Sequence, residues 1–281
     1  MPGSNPIKCV LFDIGGVVVG SPLVAINEYE KRKNLPRHWI NVAITQQGAD
    51  GAFQRFERNE LDLYSFYKQF GAELSNARQN NGWYRKFCEM RGQNIPDNLP
   101  ENLHIDGREL FGFMMRESFN PDIKVLKAIN RLRESGKFKV AALTNNFVPP
   151  TAASDDGETV PTLEEEVQHL GLGPAFEQLK SFFDKYIESA KVGMRKPDPE
   201  FFKYAMRTLQ VSPEETVFLD DIGINLKAAK KLGMTTIRVS PISSVPALQE
   251  LEKVVGMTLL DEEDVKEYQA REAKRRGNSR L

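Results

Sequence analysis

From Pro121 onward the chain alternates short apolar runs, rich in β-branched and aromatic residues, with helical periods. No other feature restricts the fold so tightly, because this alternation is the pattern of a parallel sheet with helical crossovers. Ile123, Leu126, Ile129 and Leu132 recur at three-residue steps between Pro121, at a helix start, and Gly136, at its end. Buried strands are expected over 138–145 (FKVAALTN), around Tyr186 and Ile187, over 216–220 (TVFLD) and over 235–239. Helices are expected over 164–170, 175–183, 199–209 and 225–232, with a loop at 191–199 and a turn at 212–215. One more strand lies near the N-terminus, within 7–19 (IKCVLFDIGGVVV), and it joins the same sheet. The fold class is therefore α/β, a doubly wound, Rossmann-like parallel sheet.

Between that first strand and Pro121 the sequence has little strand character. Helical runs are expected at 23–33, 37–46, 65–76, 83–91 and 108–116. Phe53, Phe56, Leu61, Leu63, Tyr64, Phe66, Tyr67 and Phe70 form a dense apolar group, read as the interior of a helical bundle, with pocket lining as the alternative. The expected organisation is a discontinuous core of residues 1–20 and 119–262, an inserted helical cap of residues 21–118, and a charged tail of residues 263–281.

The 38 basic and 39 acidic residues nearly cancel, which argues against nucleic acid or an anionic membrane as partner. There is no run near the ~18 apolar residues of a membrane span and no basic-then-apolar leader, so a soluble, cytoplasmic protein is expected. Cys9 and Cys88 are too few for a disulfide framework, and Cys88 and the three histidines lack zinc-ligand spacing. Residues 148–161, with three prolines and an acidic DDGE, read as a loop. The tail runs from DEED to KRR and reads as a solvated helix with a frayed end. It closes on Ser279-Arg280-Leu281, one basic-for-basic change from the peroxisomal address Ser-Lys-Leu, for which a chance match is the competing reading.

The chemistry gathers where strands end. Asp13 follows the first strand and precedes Gly15 and Gly16. Thr144 and Asn145 end the second, Lys196 lies in the loop after the third, and Asp220 and Asp221 end the fourth. In an open α/β sheet these positions share the carboxyl-terminal edge, where ligands bind. Each residue has a plain alternative: a turn-starting Asp, a strand-end Thr, a surface Lys, an N-cap pair. Together, three carboxylates would repel one another unless a cation joined them. A hard divalent ion with oxygen ligands, Mg²⁺ rather than Zn²⁺, fits that set, and the lysine and hydroxyl suit phosphate oxygens. The expected chemistry is phosphoryl transfer from a small phosphorylated metabolite to an Asp carboxylate of the protein.

The segments FDIGGVV, LTNN, VGMRKPDP and FLDDIGINLKAAKKLGM resemble the haloacid dehalogenase-like hydrolase superfamily, across about residues 7–260. Within it they are most similar to the N-terminal phosphatase domains of soluble epoxide hydrolases and their acyl-CoA-dehydrogenase-fused relatives. The resemblance implies Asp13 as nucleophile and metal ligand, with the Gly15 carbonyl on Mg²⁺. It implies Thr144 and Asn145 on phosphoryl oxygens and Lys196 neutralising charge. Asp221 would bind Mg²⁺ directly, Asp220 through water, and Asn225 would help position Lys196. The family's phosphatases usually carry an acid–base Asp two residues after the nucleophile, and here Gly15 stands in that place. The expected function is thus a Mg²⁺-dependent phosphatase working through an aspartyl-phosphate. The alternatives are a catalytically weak phosphate-binding regulator and a 2-haloacid dehalogenase, for which Asp220 and Asp221 would have no task. Epoxide hydrolysis belongs, in the relatives, to a separate domain.

Overall fold

Five strands form one sheet: β1 (Cys9–Phe12), β2 (Lys139–Thr144), β3 (Lys185–Glu188), β4 (Thr216–Asp220) and β5 (Thr235–Arg238). Their order is β3-β2-β1-β4-β5 and every pairing is parallel, in a computed structural model that describes residues 6–118, 120–151, 161–173 and 178–278. β1 and β4 are buried along their whole length, as expected of strands covered on both faces. Alternate side chains feed two separate cores. Val10, Phe12, Val140, Ala142, Val217 and Leu219 pack with α7 (Ile123–Glu134) and α12 (Val245–Val255) on one face. Cys9, Leu11, Ala141, Leu143 and Phe218 pack on the other with α10 (Pro199–Leu209) and α11 (Gly223–Lys231).

The chain reaches β2 and β3 on one side of β1, then returns to place β4 on the other. The strand order therefore reverses between β1 and β4, and in such sheets ligands bind at the carboxyl ends of the strands at this switch point. Phe12 pairs with Leu219, and the Asp13 N–H donates to the Leu219 carbonyl at 2.9 Å. This register sets Asp13 beside Asp220.

Between β1 and α7 lie six helices: α1 (Pro22–Arg32), α2 (Trp39–Gln46), α3 (Ala52–Glu57), α4 (Leu63–Ser75), α5 (Ala77–Met90) and α6 (Gly107–Ser118). They share one apolar core that includes Trp39, Phe56, Phe66, Phe70 and Phe111. The aromatic group is thus interior, with Phe53, Leu61 and Tyr64 partly buried at its edge. Two differences from the sequence reading have local causes. The short α3 has no capping side chain to announce it. α5 starts six residues before the expected 83, because Asn76 ends α4 and caps α5 by accepting from the Gln79 N–H; its polar ARQNNG opening hides the helix.

Two further elements were not read from the sequence. Residues 189–192, divided there between no assigned element and a loop, form the short helix α9 (Ser189–Val192). α12 covers one face of the sheet with Val245, Ala247, Leu248 and Leu251. Of the helix expected over 175–183, residues 178–180 are helical and 181–183 turn away, with 174–177 outside the described residues. Most of the 148–161 loop and Ser279-Arg280-Leu281 also lie outside them.

The segment after that loop crosses to the insertion. α8 (Leu163–His169) buries Glu166, which accepts from the Tyr67 hydroxyl at 2.6 Å and from Arg108 Nε at 2.9 Å, and Leu170 enters the insertion's core. At the other end of the chain, α13 (Glu262–Asn278) lies along α7, with Lys127 2.8 Å from Asp261 and Lys124 3.3 Å from Glu267. Val265 and Tyr268 of this helix pack against the sheet core, so the expected solvated tail is docked along its first turns. Among the described residues, no helix is long and apolar enough to cross a membrane.

Candidate active site

Asp13 leaves β1 into a tight turn in which the Val18 and Val19 N–H groups both donate to the Ile14 carbonyl, at 2.9 and 3.0 Å. The two glycines of this turn differ. Gly16 has φ +78°, and a Cβ there would collide with the Asp221 carboxylate. Gly15 has ordinary backbone, and a Cβ there would sit 3.5 Å from Pro22 Cδ, an ordinary contact. Gly16 is required by geometry and Gly15 is not. The turn ends at Ser21, which caps α1 and donates from Oγ to Asp221 Oδ2 at 2.9 Å.

Lys196 is the hub. Its side chain is 1% exposed, with Nζ 2.7 Å from Asp13 Oδ1 and 2.9 Å from Asp220 Oδ2. Its backbone is clamped by Asn145, whose Oδ1 accepts from the Lys196 N–H at 2.8 Å and whose Nδ2 donates to the Lys196 carbonyl at 3.0 Å. Both ends of that amide thus hold Lys196, a contact that the sequence reading, which placed Asn145 on phosphoryl oxygens, did not anticipate. Asn225, expected to help position Lys196, donates to both oxygens of Asp220, at 3.2 and 3.1 Å. It reaches the lysine through that carboxylate. Asp220 also accepts from the Ile222 N–H at 2.7 Å, and Thr144 lies buried at the end of β2.

Oxygens of Asp13, Asp220 and Asp221 lie within 4.8 Å of one another. Burial raises the Asp13 carboxyl well above the usual range, and Asp220 and Asp221 push it further against the pull of Lys196. Burial, then Asp220, pushes Asp221 up to about 6. Burial opposes the Lys196 charge, but the two carboxylates it touches raise its pKa overall. One ammonium among three carboxylates leaves two negative charges uncompensated. Asp221 Oδ1 is buried and makes no hydrogen bond to any described residue. Three hard oxygen donors, a two-charge deficit and an orphaned buried oxygen fit a divalent cation.

Two groups escaped the sequence reading. Ser21 carries no signal beyond an N-cap serine before proline. Glu57, at the end of α3, sits 2.6 Å from Arg195 Nε, one residue from Lys196. Nothing in its local sequence points there, because the pairing spans 138 positions.

An aspartate cluster and a buried lysine at the switch point of a doubly wound α/β sheet suit the active site of a hydrolase. The sequence pattern of the haloacid dehalogenase-like hydrolases matches residues 7–233, and the chain belongs to that family. It is 30% identical over 255 residues to bifunctional epoxide hydrolase 2 of Sus scrofa, covering 90% of this chain and 40% of that protein. It is 29% identical over 259 residues to acyl-CoA dehydrogenase family member 10 of Mus musculus, covering 92% of this chain and 20% of that protein. The chain therefore spans less than half the length of these relatives. A D-ribitol-5-phosphate phosphatase of Bacteroides thetaiotaomicron is 26% identical over 255 residues, covering 89% of this chain and 99% of that one. Among solved structures, a HAD-like family hydrolase from Porphyromonas gingivalis shares the fold, with TM-score 0.52, 19% identity, and 88% and 98% of the two chains covered.

Proposed function

We propose that the chain is a Mg²⁺-dependent phosphatase that removes phosphate from a small phosphate monoester through Asp13. The observation that carries this reading is the cluster of three carboxylates sharing one buried lysine, with Asp221 Oδ1 left unpaired. Asp13 would attack phosphorus as the P–O bond to the alcohol breaks, the departing oxygen taking its proton from water, and a second water would then cleave the aspartyl-phosphate to free Asp13 and inorganic phosphate. Lys196, fixed by Asn145 and by Asp220, would hold positive charge beside the attacking oxygen and the phosphate. Asp13, Asp220 and Asp221, with the Gly15 carbonyl, would hold Mg²⁺, which when bound offsets charge on the phosphoryl oxygens. The Thr144 hydroxyl would face the phosphate. The insertion at 21–118 would act as a cap that sets substrate choice. Relatives named as phosphatases of D-ribitol 5-phosphate and of glyceraldehyde 3-phosphate support a small phosphorylated metabolite as substrate.

A second reading rests on Gly15: with no side chain to protonate a leaving group, the site would bind phosphate compounds and turn them over slowly. The test is phosphate release from an aryl phosphate with and without Mg²⁺. Turnover that requires Mg²⁺ and disappears in Asp13→Asn is expected. Wild-type release no faster than Asp13→Asn across a broad phosphate panel would remove the enzyme reading.

A further inference from the structure

The loops that carry Asn145 and Lys196 are closed into a ring, and one member of that ring comes from the helical insertion. Asn145 grips the Lys196 backbone from both sides, at 2.8 and 3.0 Å. Next to Lys196 in the chain, Arg195 turns the opposite way and its Nε meets Glu57 Oε2 at 2.6 Å. The carbonyl of the same Glu57 accepts from Ser189 Oγ at 2.6 Å, and that hydroxyl oxygen accepts from the Asn146 N–H at 2.9 Å. Asn146 follows Asn145, so the circuit is complete: Asn145, Lys196, Arg195, Glu57, Ser189, Asn146. The Glu57 side chain is 12% exposed and that of Arg195 22%, so the pair is only weakly screened by solvent. An aromatic peg reinforces the same junction, with Phe147 stacked 5.2 Å from Phe56 of α3.

We infer that Glu57 is a positioning residue for Lys196, through which the seating of the helical insertion sets the lysine's place beside Asp13. This rests on the phosphatase reading above. Glu57 needs no contact with substrate: its carboxylate fixes Arg195 and its carbonyl fixes Ser189, and those two hold the loops that Asn145 joins. If α3 lifts, both holds are lost together. Small displacements of a charge-stabilising group are costly, on the order of 10–100-fold in rate for outer partners of a site.

Glu57→Ala and Arg195→Ala are each expected to lower kcat by about 10–100-fold with KM little changed, and the double variant is expected to fall no further than the worse single one. Glu57→Gln, which keeps an acceptor for Arg195, is expected to recover much of the loss. Hydrogen exchange reads the same link without turnover: the Lys196 and Asn146 amides should exchange faster in Glu57→Ala. If Glu57→Ala does not fold, Arg195→Gln, which leaves the insertion's apolar core untouched, carries both measurements. Unchanged kcat in an active protein, or unchanged exchange at both amides, overturns the inference. A wild type without phosphatase activity would defeat the function proposed above, while exchange would still decide the role of Glu57.

Discussion

Replacing Gly15 by Asp tests what the missing acid–base group costs. The backbone at Gly15 lies outside the left-handed region and the first added atom meets only the Pro22 ring, Cδ at 3.5 Å and Cγ at 3.8 Å, so the fold should tolerate the change. A leaving group that departs without a proton source must carry its own negative charge. The wild-type rate should then fall steeply as the leaving group becomes more basic. A positioned general acid typically contributes about 10²–10⁴-fold, or about 3–5 kcal/mol of barrier. Nearly all of that gain should appear with alkyl phosphates and little with phosphates of acidic phenols. A fourth carboxylate adds negative charge beside the proposed Mg²⁺ site, so Gly15→Asp should also reach full rate at lower Mg²⁺. The assay is kcat/KM across aryl and alkyl phosphates of graded leaving-group pKa at saturating Mg²⁺. A flatter slope for the variant, with alkyl phosphates gaining most, is the expected result. Equal slopes in a folded variant would refute the claim that the wild-type site lacks a leaving-group acid.

Gly16→Ala should be far more damaging than any change at Gly15, because φ +78° is unfavourable by about 1–2 kcal/mol for a residue with a Cβ and that atom collides with Asp221. Lost Mg²⁺-induced thermal stabilisation and lost turnover are expected, and a variant that keeps both would contradict the geometry. Glu30 offers a pH signature away from the site. It is buried in the insertion, accepts from the His38 and Ile40 N–H groups at 2.7 and 2.8 Å, and burial outweighs those bonds to raise its pKa from 4.5 to about 7. The folded state keeps a proton there that the unfolded chain releases, so this contribution is present below about pH 4.5 and is lost as pH rises through 7. The loss should be about 3 kcal/mol, read as the pH-dependent difference in urea stability between wild type and Glu30→Gln. A difference that stays constant from pH 4.5 to 8 would show that Glu30 titrates normally.

The sheet was legible in the sequence because β1, β2 and β4 are buried on both faces, and a strand without a solvent side must be apolar throughout. The same apolarity made the polar residues that end the strands conspicuous: Asp13, Thr144, Asn145, Asp220 and Asp221 stood out that way, and Lys196 was picked from the loop after the third strand. Two helices were harder to read: α3, which has no capping side chain, was missed, and α5 was read only from residue 83 because its opening turns are polar. Which groups meet was also beyond the sequence. Asn145 turns to the Lys196 backbone, Asn225 to Asp220, Ser21 to Asp221 and Glu57 to Arg195, over separations of 51, 5, 200 and 138 positions. The sequence alone determined the strand alternation and the chemical types at the strand ends, because burial and backbone preference act locally. Only the tertiary structure decided that Gly16 is the glycine geometry demands, that Gly15 is free to change, and that the insertion reaches the lysine loop. Those outcomes depend on which distant side chain occupies the neighbouring space, and the packed fold is what brings it there.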